Sequence, residues 1–254
     1  MKNAIAITNQ KGGVGKSTTA QALAVGLKLR GFEVLAVDMD PQGNLSYGMK
    51  ATNGDEVPTV YDLMKGTATA AEVIQHTEQG DVIPANVLLS GAELEFNRTG
   101  REHKLERALR EVAGNYDYIV IDTPPSLGVL TANAYTAADR LIIPMLSDIY
   151  SIQGLYQLFD AVEQVRDYCN PALTISGILL TRYNGRAVVR RDLKESIEEL
   201  AAGIKTKVYK QTIREAVAVV ESQAEQQGLQ QYAPVANVTK DYEAFITEFL
   251  KEED

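Results

Sequence analysis

Ala4-Ile5-Ala6-Ile7-Thr8-Asn9-Gln10-Lys11-Gly12-Gly13-Val14-Gly15-Lys16-Ser17-Thr18 is the stretch on which the reading of this chain turns. The apolar run Ala4–Thr8 has the character of a strand. Ser17–Arg30 carries a helical pattern that closes at Gly31, a suitable helix C-cap. Between them, Gly12, Gly13 and Gly15 let the backbone curl until its N–H groups approach one locus, and the N-terminus of the following helix favours negative charge there. Gly12, Gly13, Val14, Gly15, Lys16, Ser17 and Thr18 therefore form a phosphate cradle. Lys16 is placed to reach the β- and γ-phosphates of a nucleotide, and the Ser17 hydroxyl to ligate Mg²⁺. The strand before, the helix after and Gly-Lys-Ser at their junction separate this loop from a glycine-rich turn with incidental lysines.

Outward from the loop, apolar and β-branched runs recur at Val34–Asp38, Tyr118–Asp122, Leu141–Pro144 and Leu173–Leu180. Runs this apolar suit strands buried on both faces. Helical patterns fill the gaps. Leu155–Cys169 aligns Leu155, Leu158, Phe159, Val162, Val165 and Cys169, and Ala187–Ala202 repeats Val189, Leu193, Ile197 and Leu200. The alternation predicts an α/β fold, a mostly parallel twisted sheet with helices on both faces, as one domain over residues 1–254. From Met49 to Ser90 the pattern is weakest; Tyr61–Lys65 suggests a short helix and Val87–Leu89 a strand.

Composition narrows the function classes. The 45% apolar and 23% charged content is that of an ordinary globular protein. No apolar run is long enough to span a bilayer and no signal peptide precedes the first strand, so a cytoplasmic location is expected. One cysteine, Cys169, excludes an internal disulfide and any multi-cysteine cluster within one chain. His76 and His103 stand far from the loop in sequence and read as surface residues. The net charge of −9 argues against a nucleic-acid partner, but its distribution argues the other way. Nine basic residues and four acids lie between Arg182 and Arg214, so that segment carries +5 and the remainder −14.

The loop departs from the ordinary Walker A pattern in one respect. Gln10 stands where the first glycine belongs, and Lys11 follows it. Lys-Gly-Gly-Val-Gly-Lys-Ser resembles the deviant Walker family of P-loop NTPases that includes ParA and MinD. The resemblance implies ATP and Mg²⁺ as cofactors, and a homodimer with ATP in which Lys11 crosses to the partner's nucleotide. Val37-Asp38-Met39-Asp40-Pro41-Gln42-Gly43-Asn44 is similar to the family's second motif, which implies Asp38 near the Mg²⁺ shell and Asp40 orienting the attacking water. Tyr118-Ile119-Val120-Ile121-Asp122 reads as a Walker B strand with Asp122 holding Mg²⁺-bound water, and Thr123-Pro124-Pro125 as a switch segment. Thr181–Asn184 sits where relatives contact the adenine, with Asn184 the candidate for base recognition. Lys210-Gln211-Thr212 stands where the family has Pro-Arg-Asn, which leaves the rest of the base pocket open.

Which branch the chain follows rests on further residues. Leu146–Gly154, with Asp38–Asn44 and Tyr118–Gly128, resembles ParA. That likeness implies a DNA-partitioning ATPase that binds nonspecific DNA as the ATP dimer, associates with the nucleoid in that state, and is stimulated by a ParB-like centromere-binding protein. A helix starting near Arg186 would place Arg186, Arg190 and Lys194 on one stripe, opposite Val189, Leu193 and Ile197. Arg214 occupies a position resembling a DNA-contacting arginine of the family. The same charges also fit a solvated helix face with i,i+4 pairs. With three residues before its first strand, the chain is expected to carry no N-terminal helix-turn-helix domain. A MinD-like positioning ATPase would need a basic amphipathic tail. Here Tyr242, Phe245, Ile246 and Phe249 form a stripe with acidic flanks, which fits a helix docked on the domain and no membrane partner. A small-molecule ligase on the same scaffold is the remaining alternative.

Overall fold

A computed structural model describes residues 3–54, 56–96, 98–184 and 188–251, with the side chains of 93 and 188–191 outside that description. Among the described residues seven strands form one sheet: β1 (Ala4–Ile7), β2 (Val34–Asp38), β3 (Gln75–Thr77), β4 (Gly80–Ile83), β5 (Tyr118–Asp122), β6 (Arg140–Met145) and β7 (Thr174–Leu180). Their order is β3-β4-β2-β5-β1-β6-β7, parallel throughout except for the β3–β4 hairpin at one edge. The helices are α1 (Lys16–Lys28), α2 (Asn44–Gly48), α3 (Val60–Lys65), α4 (Ala70–Val73), α5 (Ala92–Glu95), α6 (Lys104–Leu109), α7 (Val129–Ala137), α8 (Ile149–Tyr168), α9 (Val188–Gly203), α10 (Val217–Ala224), α11 (Leu229–Tyr232) and α12 (Asn237–Leu250).

The strands are apolar throughout because both faces are covered. Successive side chains point to opposite faces, so Ala4 and Ala6 join one core and Ile5 and Ile7 the other. The first core packs Leu35, Val37, Ile119 and Ile121 against Leu130 and Ala134 of α7, Leu155, Leu158 and Val162 of α8, and Ile197 of α9. The second packs Ala36 and Val120 against Leu23 and Leu27 of α1 and against Tyr242, Phe245, Ile246 and Phe249 of α12. The apolar stripe of the last helix is thus fully committed to the interior. Each such side chain contributes about 1.5–3 kcal/mol by leaving water.

Two expectations are corrected. Val87–Leu89 is not a strand but the start of a 3₁₀ turn, Val87–Gly91, opened by the Asn86 side chain accepting from Leu88 N–H at 3.2 Å. Val87 and Leu88 are exposed there, as a sheet interior would not allow. The strands of that region are instead β3 and β4. Helix α8 also starts at Ile149 rather than Leu155, because Asp148 accepts from Ser151 N–H at 2.8 Å and caps it.

Candidate functional site

The carboxyl ends of β2, β5 and β1 lie side by side, with Asp122 in register with both Asp38 and Ile7. The chain leaves β1 here and crosses to β2 on one side, while β5 continues to β6 on the other, so the loop after β1 opens at the point where the strand order reverses. The loop is held from three directions. Asn9 Nδ2 donates to the Pro144 carbonyl at 2.8 Å, the Lys11 N–H to Asn9 Oδ1 at 2.9 Å, and Thr181 Oγ1 to the Val14 carbonyl at 2.8 Å. Gly13 and Gly15 take φ of 72° and 86°, left-handed values that other residues adopt only under strain, and Gly15 is the N-cap of α1. The result is a cavity of about 470 Å³ whose floor is Gly12, Gly13, Gly15, Lys16, Ser17 and Thr18. Val14 points into the protein and is fully buried.

Two carboxylates, Asp122 and Asp40, act on the buried Lys16 ammonium of this floor, and a third, Asp38, stands behind Asp40. Burial lowers the pKa of Lys16, against which Asp122 and Asp40 raise it; its Nζ donates to the Lys11 carbonyl at 3.3 Å. Asp40 lines the cavity, and its Oδ1 accepts from Gln42 N–H at 3.0 Å. Asp38 is fully buried behind it, accepting from Ser46 N–H and Oγ at 2.8 and 2.7 Å and from Asp40 N–H at 3.0 Å. Burial pushes its pKa up to about 6 despite those bonds. Asp38 thereby fixes the backbone that carries Asp40.

Asp122 is different. Both of its oxygens are buried with no hydrogen-bond partner among the described residues. Burial and the Asp38 carboxylate raise its pKa well above the usual carboxylate value. The nearby Ser17 hydroxyl and the Lys16 ammonium pull the other way, without Ser17 closing a hydrogen bond of ordinary geometry. An unsatisfied carboxylate facing a serine and a lysine fits a divalent cation and its water. No group of three or more His, Cys, Asp or Glu among the described residues forms an all-protein metal cage. Mg²⁺ takes one or two protein ligands and completes its shell with phosphates and water, so Ser17 and Asp122 are enough protein to hold it.

Lys11 leaves the cavity. Its Nζ donates to Asp148 Oδ2 at 2.7 Å and lies 3.4 Å from Ser151 Oγ. At the far end of the cavity, Arg182 and Glu215 form an ion pair, and Arg214 is held by Asp241 through Nε at 2.6 Å and Nη2 at 2.8 Å. Of the segment Thr181–Asn184, Thr181 and Arg182 line the cavity. The sequence did not point to Glu215, Val219 and Gln223, which line it too; Gln223 Nε2 donates to Thr18 Oγ1 at 2.9 Å. Lys210–Thr212 does not line it, since Lys210 and Gln211 donate their N–H groups to Glu248, and the segment that does follows at Ile213–Ala216. Asn184 is exposed and outside the lining. Arg214 belongs to this cavity and not to the α9 stripe, because the nearly buried Asp241 carboxylate anchors it there. Arg186 and the Arg190 side chain lie outside the described residues, and Lys194 lies 3.5 Å from Glu198. His76 and His103 bond Asp81 and Glu106, away from the loop.

The sequence profile of the AAA-domain family matches residues 2–175. Soj, the sporulation initiation inhibitor protein of Bacillus subtilis, is 44% identical over 225 residues, 87% of this chain and 88% of its own. The chromosome partitioning protein ParA of Caulobacter vibrioides is 42% identical over 224 residues, covering 86% of this chain and 82% of its own. The chain belongs to the ParA/Soj family of partitioning ATPases. Solved structures share its fold. A plasmid partition protein of Borrelia burgdorferi bound to AMPPNP superposes with a TM-score of 0.83 at 27% identity, covering 99% of this chain and 100% of its own. Cobyrinic acid a,c-diamide synthase of Mycobacterium smegmatis, with a bound ATP analogue and magnesium, gives 0.87 at 31% identity, covering 100% and 96%.

Proposed function

We propose that this chain is an ATP-hydrolysing, Mg²⁺-dependent switch in plasmid or chromosome partitioning. It pairs with a second copy around ATP, binds DNA without sequence preference as that dimer, and is stimulated by a ParB-like centromere-binding partner. The observation that carries this reading is the division of labour between the loop's two lysines. Lys16 Nζ turns into the cavity among Asp122 and Asp40, while Lys11 Nζ turns away from it. A generic NTPase loop needs the first lysine alone.

ATP and Mg²⁺ are the cofactors this cavity takes, in keeping with the nucleotide-bound relatives. The loop amides and Lys16 bind the phosphates, and Ser17 and Asp122 hold the metal and its water. When bound, the metal neutralises charge on the transferring phosphoryl group. Asp38 fixes Asp40 from behind, and Asp40 orients the attacking water. Hydrolysis here is a matter of positioning and charge, with no covalent intermediate asked of the protein. Arg186, Arg190 and Lys194 supply phosphate-backbone contacts, and pairing two copies doubles them.

The test is DNA binding by fluorescence anisotropy with ATP, with ADP and without nucleotide, alongside turnover with and without DNA and a ParB-like protein. The expected result is salt-sensitive binding with ATP alone and turnover raised by the two together. A second reading is favoured by the 31% identity to cobyrinic acid a,c-diamide synthase: a ligase that activates a small-molecule carboxylate. ATP consumption coupled to such a substrate and indifferent to DNA would establish it. The apolar stripe of α12 is buried, so it does not offer the exposed amphipathic face that a MinD-like membrane attachment would use.

A further inference from the structure

Lys11 and Asp148 form a closed pair between the loop and the start of α8. One carboxylate does two things: Oδ2 accepts from Lys11 Nζ at 2.7 Å, and Oδ1 accepts from Ser151 N–H at 2.8 Å as the helix cap. Burial pushes the Asp148 carboxyl up, but the bonds from Lys11 and Ser151 outweigh it and hold the group below its ordinary value. The N-terminus of α8 favours the same negative charge.

The surroundings of this pair are unfinished in a single copy. Gln10 Nε2, beside Lys11, and Ser147 Oγ, beside Asp148, are buried with no hydrogen-bond partner among the described residues. Buried polar atoms of this kind are normally satisfied. On the outside of the same turn, Ile149 and Tyr150 are 63% and 77% exposed. A charged pair, two unpaired polar atoms and two exposed apolar side chains thus adjoin one another at the mouth of the nucleotide loop. The partner that fits is a second copy of this chain, since Lys11 is the loop lysine that its own cavity does not use.

We infer that Asp148 is the positioning residue of Lys11, latching its ammonium to the start of α8 in the single protomer, and that pairing around nucleotide requires this latch to open. The inference rests on the dimer reading above. Both side chains are 35% exposed, so the latch is weak enough to open and sets a threshold for pairing without forbidding it. Because Oδ1 keeps Ser151 N–H, α8 stays capped when Lys11 leaves, and the helix need not fray for the switch to act.

The test compares wild type with Asp148→Asn, which keeps a good N-cap and loses the charge that holds Lys11. Self-association is measured by analytical ultracentrifugation with saturating AMPPNP and Mg²⁺. With two latches per dimer, Asp148→Asn is expected to tighten self-association by roughly three- to tenfold. In a Lys11→Ala background the same substitution is expected to change nothing. Amine labelling of Lys11 in the nucleotide-free protein, read by mass spectrometry, is expected to be faster in Asp148→Asn than in wild type. A purely structural cap would not move that rate. Unchanged or weaker association of Asp148→Asn, with wild type dimerising, overturns the latch alone. If neither protein dimerises, the dimer reading falls and the latch falls with it. Asp148→Ser, which also caps, serves as the second variant should Asp148→Asn fold poorly, with the same expected and overturning results.

Discussion

Asp122 ends β5 with both oxygens buried and unbonded, and burial, with the Asp38 carboxylate beside it, raises its pKa. Such a group destabilises the free protein for the sake of what it later binds. Asp122→Asn should therefore raise the Tm of nucleotide-free protein by about 3 °C or more in calorimetry, while lowering ATP turnover by roughly 10²-fold or more. The sign of the pH dependence follows from the shift. The folded-state pKa lies above the unfolded one, so the stability linked to this carboxyl is present at low pH and lost as pH rises through the folded value. The Tm advantage of Asp122→Asn over wild type should thus widen from about pH 4 to about pH 8; an advantage that narrows would remove the explanation. Asp40 is a separate case, since it faces the cavity and its backbone is fixed by Asp38. Asp40→Ala should keep nucleotide binding near the wild-type level in a fluorescent-analogue titration yet lower turnover by about 10²–10³-fold, whereas Lys16→Ala should lose both. The three aspartates were legible in the sequence because Asp38 and Asp122 each end an apolar run and Asp40 follows within two residues. Arg182 with Glu215 and Arg214 with Asp241 were not, because the partners stand 33 and 27 residues apart and meet only through the folding of β7, α10 and α12.

At the scale of elements, legibility followed burial. The strands β1, β2 and β5 carry uninterrupted apolar character because each is covered on both faces, and so do most of β6 and β7. The hairpin of β3 and β4 is short, sits at the sheet edge and reads Gln75-His76-Thr77 on its outer strand, with His76 held by Asp81 across the turn. Polar edge strands of three or four residues leave no periodic signal. Val87-Leu88-Leu89 has that signal and is no strand, because Asn86 opens a 3₁₀ turn first. The last helix is where an element carries a functional decision. Phe245 is fully buried and meets the Tyr209 ring edge-on at 4.9 Å, while the adjoining Tyr242 reaches the cavity wall and its hydroxyl lies 3.3 Å from Thr19 Oγ1. Phe245→Ala should cost about 3–5 kcal/mol of stability in urea titration and weaken nucleotide binding through the loosened wall. Sedimentation with anionic liposomes should leave the wild-type chain in the supernatant, since exposing the α12 stripe would require undocking it from the second core.

For the molecule as a whole, the proposed DNA binding has to be reconciled with a net charge of −9. Nonspecific affinity comes from the cations at the contact, and counterion release makes it depend on how many phosphates they neutralise, not on the total charge. The segment from Arg182 to Arg214 concentrates +5 against −14 elsewhere, so attraction is confined to one region and the acidic remainder repels DNA from the other faces. Not all of that charge is free. Arg182 is engaged by Glu215, Arg214 by Asp241, and Lys194 lies within 3.5 Å of Glu198. On the proposed reading, one copy with a few available cations would bind weakly at physiological salt, and two copies held together by nucleotide would bind through twice that number. In the ATP state the logarithm of affinity should fall with the logarithm of salt at about −0.9 per phosphate neutralised. The double variant Arg190→Glu, Lys194→Glu should flatten that slope by about two for each protomer engaged, leaving AMPPNP-driven dimerisation and basal turnover intact. An unchanged slope would place the contact elsewhere on the surface, and binding of equal strength with ADP would separate DNA capture from the nucleotide switch.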